Sequence, residues 1–362
     1  MYNHEYLKNF TKSIFIKIGC PENDAQIIAD VLMAAELRGI PSHGLIRVND
    51  YIGMYERNRI NVKPKIKIVH ETPSTAVIDG DNCFGMVAAK ASMEKAIKMA
   101  QSVGTGWVST RNSNHYGIAG YYAMMALEKD MIGISMTNAN PLVAPTWSLS
   151  RFLGTNPIAV AIPAGKQPPF VADFATTPIA RGKLNVMAKS GKKAPFGYVQ
   201  DSDGNPSDKP DILEHGGAIL PLGGDYEHGS HKGYSLAAIV DIFTAVLSGA
   251  NFGPFVPPQI PYLPYPENQP GKGLGHFFGA MRIDAFQNAE DFKNYMDKWI
   301  ETFRSAKPAK DYEKVLIPGD PERKNEKYNL KNGITLLPVV IKQLTEIGDK
   351  YQIPFKPEKM NT

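Results

Sequence analysis

The chain has 362 residues, of which 43% are hydrophobic and 21% charged, and its formal net charge is +4. This length provides for two or three domains with cores of their own, and this composition is ordinary for a soluble globular protein. The basic residues are spread along the chain, and the densest basic run, residues 183–193, is interrupted by apolar residues and glycine. This distribution argues against a nucleic-acid-binding surface.

Cysteine usage and the N-terminus indicate the compartment. The two cysteines, Cys20 and Cys83, are too few for a disulfide framework, and neither has a CxxC partner that would bind zinc. The N-terminus shows no basic-then-apolar signal pattern, and no run approaches the roughly 18 apolar residues of a membrane span. We therefore predict a cytoplasmic protein that does not contact a membrane.

Apolar residues recur at helical spacing through the first 60 residues and predict three helices. The third is predicted to begin with Ser42 as its N-cap, which would place His43, Arg47 and Tyr51 on one stripe. An arginine fork can hold a carboxylate while an imidazole exchanges a proton with a hydroxyl or carbonyl oxygen. The same stretch is also typical of a surface turn with a solvated helix face.

From about residue 66, short β-rich runs alternate with helices, and some links are too short for parallel crossovers, so we predict a mixed sheet. The loop at residues 112–117, NSNHYG, carries a second candidate imidazole, His115. Residues 182–210 are polar and rich in glycine, lysine and aspartate, and the string DSDGNPSD at residues 201–208 is expected to form a turn. The helix over residues 234–247 is so broadly apolar that we expect it at the centre of the core.

Residues 253–275 are rich in proline and glycine, which excludes a regular element, so we expect a long loop over a surface or interface. A strand, a helix and a final amphipathic helix over residues 335–347 are predicted to complete the chain.

The usual phosphate and metal motifs are absent from the sequence. No GxxxxGK[ST] occurs, and no GxGxxG follows a strand and opens a helix, which argues against a conventional dinucleotide-binding fold. Glycine-rich residues 223–233 precede an apolar helix whose free N–H groups, with Lys232, could receive a phosphate, although this pattern alone is weak. His228 and His231 lack the HExxH spacing, so no metal site is predicted. Ser42 and Ser113 lie outside GxSxG, which argues against a serine hydrolase.

Six strings, taken together, resemble the type 2 malate/L-lactate dehydrogenase family, and the match to this family runs in order from about residue 5 to residue 350. One such string is weak evidence, but six in sequence are strong. This family is unrelated in fold to the Rossmann malate and lactate dehydrogenases, which agrees with the missing GxGxxG. The strings are SHG at residues 42–44 with Arg47, NSNHYG at 112–117, GTNP at 154–157, DFATTPIARG at 173–182, SHKGYSL at 230–236 and PGD at 318–320.

The resemblance implies a homodimer, with NAD or NADP extended on a mostly antiparallel, helix-flanked sheet and an active site between domains. His43 and His115 correspond to the family's acid/base candidates, and Arg47 matches its contact to the substrate carboxylate. Ser42 is expected to hold an imidazole or the substrate oxygen, or only to cap a helix. The loop at 318–320 reads PGD where PGE is common. The cofactor-binding segments implied are those of Asp173, Phe174, Ala175, Thr176, His231, Lys232, Pro318, Gly319 and Asp320.

We therefore expect a helical N-terminal domain of residues 1–65, completed by a C-terminal helix within 323–362, and a mixed α/β region of residues 66–322. Its cofactor-binding part spans about residues 118–285. The predicted function is an NAD(P)-dependent oxidoreductase that interconverts a small 2-hydroxy acid, malate- or lactate-like, and its 2-oxo acid. An imine or diketo-acid reductase of the same family and a non-enzymatic ligand-binding protein on this scaffold remain alternatives, and a metal-dependent hydrolase ranks third.

Overall fold

The structure, a computed structural model, describes residues 1–357, so the end of the predicted C-terminal segment, residues 358–362, lies outside the described residues. Helices lie at both ends of this length, and helices and strands are interspersed between them. The helices are α1 (His4–Lys17), α2 (Glu22–Leu37), α3 (Val48–Glu56), α4 (Gly85–Val103), α5 (Ala119–Met125), α6 (Arg181–Lys189), α7 (Ser230–Asp241), α8 (Ala289–Arg304), α9 (Asp320–Asn332) and α10 (Pro338–Lys350). The strands are β1 (Lys67–Glu71), β2 (Thr75–Asp79), β3 (Thr105–Ser113), β4 (Met131–Thr137), β5 (Ile158–Ile162), β6 (Phe170–Phe174), β7 (Val199–Gln200), β8 (Pro206–Ser207), β9 (Ala218–Ile219) and β10 (Leu274–Arg282).

The main sheet has seven strands in the order β1-β2-β3-β10-β4-β5-β6. β2 and β3 run parallel, whereas the other neighbours pair antiparallel. β10 comes from late in the chain and lies between β3 and β4, so it joins the two halves of the sheet. The order β8-β7-β9 describes a smaller antiparallel sheet. The predicted mixed, mostly antiparallel and non-Rossmann α/β fold is confirmed.

Helices cover both faces of the main sheet. On one face α4 packs against β3, where the Ser92 and Thr110 hydroxyls lie 2.8 Å apart in a hydrogen bond. Side chains alternate along a strand, so the neighbouring Ser109 points to the opposite face, and its hydroxyl donates to the Phe243 carbonyl at 3.0 Å. Phe243 belongs to the π-helical turn Ile242–Val246 that continues α7. The sheet therefore lies between α4 and the end of α7.

The prediction that the helix over residues 234–247 is central to the core was wrong. One side of it packs on the sheet, but its outer side is open, and Val246 and Leu247 are each 58% exposed. Hydrophobicity shows that a surface avoids water, and it does not show whether the same chain or another molecule covers that surface. The exposed apolar side chains of this face, which we call the α7 face, are Ile239, Ile242, Phe243, Val246 and Leu247.

One other local prediction was also wrong, and one helix was not predicted. The segment from Ser42 to Tyr51 is two 3-10 turns, Pro41–His43 and Leu45–Arg47, followed by α3, and the Ser42 side chain caps no helix. The predicted turn at residues 201–208 joins β7 and β8. Earlier in the polar residues 182–210 the structure forms most of α6, which buries only Leu184 on its inner side. Polar composition hid this short helix, because a single apolar side chain leaves almost no periodic signal.

The chain ends come together on the N-terminal helices. Tyr2 and Ile334 form an antiparallel bridge, and α10 contributes Val340 and Leu344 to the cluster that also contains Leu7 of α1. That cluster continues into α4 and the main sheet. The proposed division into domains stays a prediction. Among the helices of residues 1–357, none has the length and apolarity needed to cross a membrane.

Candidate active site

Gly44 separates the two 3-10 turns of the segment that carries His43, the first candidate imidazole. A Cβ at Gly44 would lie 2.3 Å from Glu36 Oε1, so no side chain fits there. The same Glu36 oxygen accepts the Leu45 N–H at 2.7 Å. Burial raises the pKa of Glu36 to about 7. Glu36 therefore holds the turn in place. No sequence motif pointed to Glu36, because its role depends on a contact nine residues away.

His43 and His115, predicted from separate motifs, lie face to face. Their ring centroids are 5.5 Å apart and their planes differ by 27°. A hydroxyl group holds each imidazole at Nδ1: Ser42 Oγ lies 2.9 Å from His43 Nδ1, and the Tyr51 hydroxyl lies 2.7 Å from His115 Nδ1. These bonds leave the Nε2 atom of each ring as the nitrogen that can meet a ligand.

The partners of His115 also indicate its tautomer. The Gly117 backbone N–H donates to His115 Nδ1 at 3.3 Å, and a backbone N–H can only donate. In the neutral ring Nδ1 is therefore the acceptor, the Tyr51 hydroxyl donates to it as well, and the proton resides on Nε2. For His43 the Ser42 hydroxyl can either donate or accept, so both tautomers are compatible with its contact.

Arg47 is oriented by two of its own neighbours. Its Nε donates to the Ser42 carbonyl at 2.8 Å, and its Nη1 donates to Asp50 Oδ2 at 3.2 Å. These bonds point the end of the guanidinium group away from the turn and leave Nη2 for a carboxylate. The Arg47 charge lowers the pKa of both imidazoles. Enclosure by the protein, and then the Arg47 charge, lower the pKa of His43 to about 4. The same causes hold the pKa of His115 well below its ordinary value.

Residues 253–275, which we call the proline-rich strap, pass directly over this site. The Gln259 side-chain oxygen accepts the His115 backbone N–H at 3.0 Å. The Gln259 backbone N–H donates to Asn140 Oδ1 at 3.3 Å. Further along, Pro261 packs on Gly53 of α3, where a Cβ would lie 2.7 Å from Pro261 Cγ. The strap therefore connects the His115 loop with the helix that follows Arg47. No sequence motif pointed to Gln259.

A second cavity, of about 360 Å³, brings together two of the segments implied to bind the cofactor. Asp173 and Phe174 at the end of β6 form one wall, and Pro318 and Gly319 before α9 form another. The Asp173 carboxylate accepts the Gly120 N–H at 2.7 Å, just after the His115 loop. Phe174 is 41% exposed and offers an apolar face. The cavity therefore begins near the imidazole pair.

The other implied cofactor residues divide into two groups. The Thr176 side chain is fully buried and donates to the Thr155 and Asn156 carbonyls, and Asp320 is paired with Arg304 and Arg323. These two side chains hold their loops in place and are turned away from the cavity. His231 and Lys232 are exposed in the first turn of α7, and Ala175 is half-buried. The roles of all the implied site residues stay predictions.

Comparison with known proteins identifies the chain's relatives. The family model described as malate/L-lactate dehydrogenase matches residues 2–345. A malate dehydrogenase of Pyrococcus horikoshii is 42% identical over 95% of this chain and 93% of that protein. A solved structure of malate dehydrogenase from that organism gives a TM-score of 0.88, at 40% identity, over 97% of this chain and 95% of that chain. The L-sulfolactate dehydrogenase of Methanocaldococcus jannaschii is 42% identical over 94% of each protein. The solved structure of the sulfolactate dehydrogenase from that organism gives a TM-score of 0.89, at 39% identity, over 98% of each chain.

These matches span nearly the whole chain and agree with the non-Rossmann fold. The protein belongs to the malate/L-lactate dehydrogenase family. It is an oxidoreductase that acts on a CH–OH group, interconverts a 2-hydroxy acid and its 2-oxo acid, and uses a nicotinamide cofactor. The resemblance inferred from the six motif strings is thereby confirmed.

Proposed function

We propose that this protein oxidises the hydroxyl of a malate-like 2-hydroxy acid, or reduces its 2-oxo acid, between Arg47 and the His43–His115 pair. The observation that carries this proposal is the convergence of the two imidazoles, 5.5 Å apart, beside a guanidinium group with a free end. The relatives named as malate and sulfolactate dehydrogenases support the substrate class. No observation favours an imine reductase or a non-enzymatic ligand-binding protein.

The acid and base chemistry follows from the two nitrogens. A proton must leave the hydroxyl oxygen as the hydride leaves carbon, so a neutral imidazole with an unprotonated Nε2 must lie on that oxygen. His43 meets this requirement when Ser42 accepts its Nδ1–H. His115 carries its proton on Nε2 and is suited to donate a hydrogen bond to the same oxygen. We therefore assign proton exchange to His43 and orientation of the oxygen to His115.

Arg47 has a separate part in the proposal. A carboxylate held by a planar guanidinium group cannot rotate freely, so the face of the neighbouring carbon is fixed. Asp50 and the Ser42 carbonyl fix the guanidinium group in turn.

The cavity residues fit a nicotinamide dinucleotide, which when bound accepts or supplies the hydride. The apolar face of Phe174 suits a ring, and the Asp173 carboxylate can accept a hydrogen bond from a hydroxyl or amide group. His231 and Lys232 do not line this cavity, but they are exposed in the first turn of α7, where they suit a diphosphate. NAD and NADP are both candidates, so the substrate panel is assayed with each.

We also propose that two copies associate through the α7 face. Five large apolar side chains on one continuous side of a helix are an unusual exposed patch for a monomer, and twofold pairing would cover it on both copies. Light scattering should give twice the chain mass of 39.8 kDa. Val246→Asp should shift the protein toward the monomer, and Ile16→Asp, at an exposed apolar position on α1, is the control. A wild-type monomer throughout the micromolar range contradicts the dimer.

The location stays a prediction. Cys20 and Cys83 are both buried free thiols, and this supports the predicted reducing, cytoplasmic location.

A substrate panel tests the proposed reaction. Malate, lactate, sulfolactate, ureidoglycolate and their oxo forms are assayed at the reduced-nicotinamide absorbance, each with NAD and NADP, together with a cyclic ketimine acid. We expect turnover of 2-hydroxy acids and no dependence on added metal. Turnover of the ketimine acid alone would replace the proposal with imine reduction. Cofactor binding without turnover of any compound would leave a ligand-binding protein.

A further inference from the structure

The proposed substrate class raises a question of charge. Malate and sulfolactate each carry a second acid group besides the carboxylate next to the hydroxyl, whereas lactate carries none. An anion that leaves water for an enclosed site is stable there only with a partner of opposite charge. In the proposed site Arg47 binds one acid group of such a dianion. Selective binding of the dianion therefore requires a second cation near Arg47.

A cavity of about 380 Å³ lies between the proline-rich strap and α6. Its wall includes Asn140 and Pro258. Asn140 accepts the backbone N–H of Gln259, and Gln259 in turn accepts the His115 N–H, so one residue separates this cavity from His115. The cavity is large enough for the end of a small organic acid.

Two arginines line this cavity, and their surroundings differ. The Arg151 guanidinium group is committed to structure, because it donates to the carbonyls of Leu213 and Gly217 at 2.7 Å each. Arg181 is exposed at the start of α6. The ion pairs of residues 1–357 engage Arg47 and Arg38 but not Arg181. Arg181 is therefore a cation on the cavity wall that is available to a ligand.

Arg181 also lies beside the segment that carries the acid/base histidine. A Cβ at the following residue, Gly182, would be 4.0 Å from the Cβ of Ser42. Burial raises the pKa of Asp50, and the charges of both Arg47 and Arg181 oppose that rise. Two guanidinium groups thus act on one carboxylate, in agreement with the approach of Gly182 to Ser42.

Two carboxylates share the cavity wall, Asp211 and Glu214. Within the described residues neither forms an ion pair with Arg181, and Asp211 instead lies 3.2 Å from His215. Neither carboxylate of the cavity wall therefore pairs with the Arg181 guanidinium group.

We propose that Arg181 is the second anion contact of the substrate and makes the enzyme prefer a 2-hydroxy acid with a distal carboxylate or sulfonate over lactate. This inference rests on the proposed reaction and names its substrate class. Arg181 is a specificity-determining residue in it, since it contacts the end of the substrate that does not react.

The test compares acids that differ only at the distal group. In Arg181→Gln, kcat/KM for malate and sulfolactate should fall about 10–100-fold, the loss of one charge-assisted contact, while kcat/KM for lactate changes less than about 3-fold. Arg181→Lys should recover part of the loss. Lys189→Gln removes the same charge from the far end of α6 and should match the wild type.

A binding measurement separates this inference from the reaction itself. Succinate and propionate are malate and lactate without the hydroxyl, so neither can react, and calorimetry can follow their binding to the protein saturated with cofactor. Arg181→Gln should weaken succinate binding and leave propionate binding unchanged. Equal losses for both acids, or a changed NADP affinity with unchanged acid selectivity, would overturn the role of Arg181. If the wild type turns over no acid, the proposed reaction fails, yet the succinate and propionate comparison still decides whether Arg181 selects dianions.

Discussion

The segments that surround the imidazole pair differ from those implied to bind the cofactor in how their side chains are held. Around His43 and His115 the functional groups have short, directed contacts, from Ser42, Tyr51 and the strap. In the cofactor-binding segments His231 and Lys232 are exposed, and the fixed side chains, such as Asp320, hold the loops instead. Chemistry requires an atom fixed to a fraction of an ångström, whereas a large charged ligand can be held by several adaptable contacts.

This comparison predicts where each substitution acts. Changes near the imidazole pair should lower turnover and leave cofactor affinity intact. Changes in the segments implied to bind the cofactor should weaken cofactor binding and leave turnover at saturating cofactor nearly intact.

The largest effect is expected at the histidines. His43→Gln keeps a polar side chain but cannot exchange a proton, so kcat should fall about 10²–10⁴-fold with a nearly unchanged cofactor dissociation constant. His115→Gln should raise KM more than it lowers kcat, because a glutamine can still donate to the substrate oxygen. Profiles of kcat against pH for both variants check the assignment.

The reverse pattern exchanges the two roles. If His115 is the main acid/base, His115→Gln removes the pH dependence of kcat and His43→Gln raises mainly KM. Turnover close to wild type in both variants would defeat the mechanism altogether.

Arg47→Lys is expected to have the next largest effect. Lysine keeps the positive charge but loses the planar fork that grips a carboxylate with two parallel hydrogen bonds. We expect kcat/KM to fall about 10–1000-fold, which corresponds to roughly 1.4–4 kcal/mol of transition-state stabilisation. The bond from Nε to the Ser42 carbonyl is lost as well, so a crystal structure of the variant should show whether the turn before α3 has shifted. Wild-type kcat/KM in this variant would rule out the carboxylate contact.

Lys232→Ala tests the other side of the comparison. Lys232 is exposed in the first turn of α7, so its loss removes one of several contacts to a diphosphate. The cofactor dissociation constant, measured by protein fluorescence, should rise more than kcat falls at saturating cofactor. Lys342→Ala, an exposed lysine on α10, controls for the change in net charge. An unchanged dissociation constant would remove Lys232 from the site.

The sequence was most informative where a short string carries both the residue and its local partner. Ser42 and His43 are adjacent, and the motif that holds His115 also supplies the Gly117 N–H bound to it. It was least informative for contacts between distant segments. Gln259 lies 144 positions from His115, and nothing in a proline-rich loop indicates which backbone it will cross.

The prediction of burial for the α7 face failed for a different reason. Its residues are apolar, but no part of residues 1–357 covers them. Hydrophobic pattern alone cannot separate a core from an interface. The helix α6 was missed because it has one inward apolar residue, so no helix was predicted at Arg181.

The smallest effect is expected at Gln259, which acts through His115 and touches no reacting atom. Gln259→Ala removes the acceptor of the His115 backbone N–H. One such hydrogen bond contributes about 0.5–1.5 kcal/mol, so kcat should fall roughly 2–12-fold with cofactor affinity unchanged. Gln259→Glu keeps an acceptor and adds a negative charge, which favours the protonated imidazole and should move the acid limb of the kcat profile to higher pH. Tyr262→Ala, on the same strap but 70% exposed, should behave as wild type. Because general loosening of the strap would lower kcat in all three variants without moving the pH profile, a shift in Gln259→Glu alone identifies Gln259 as the residue that positions His115.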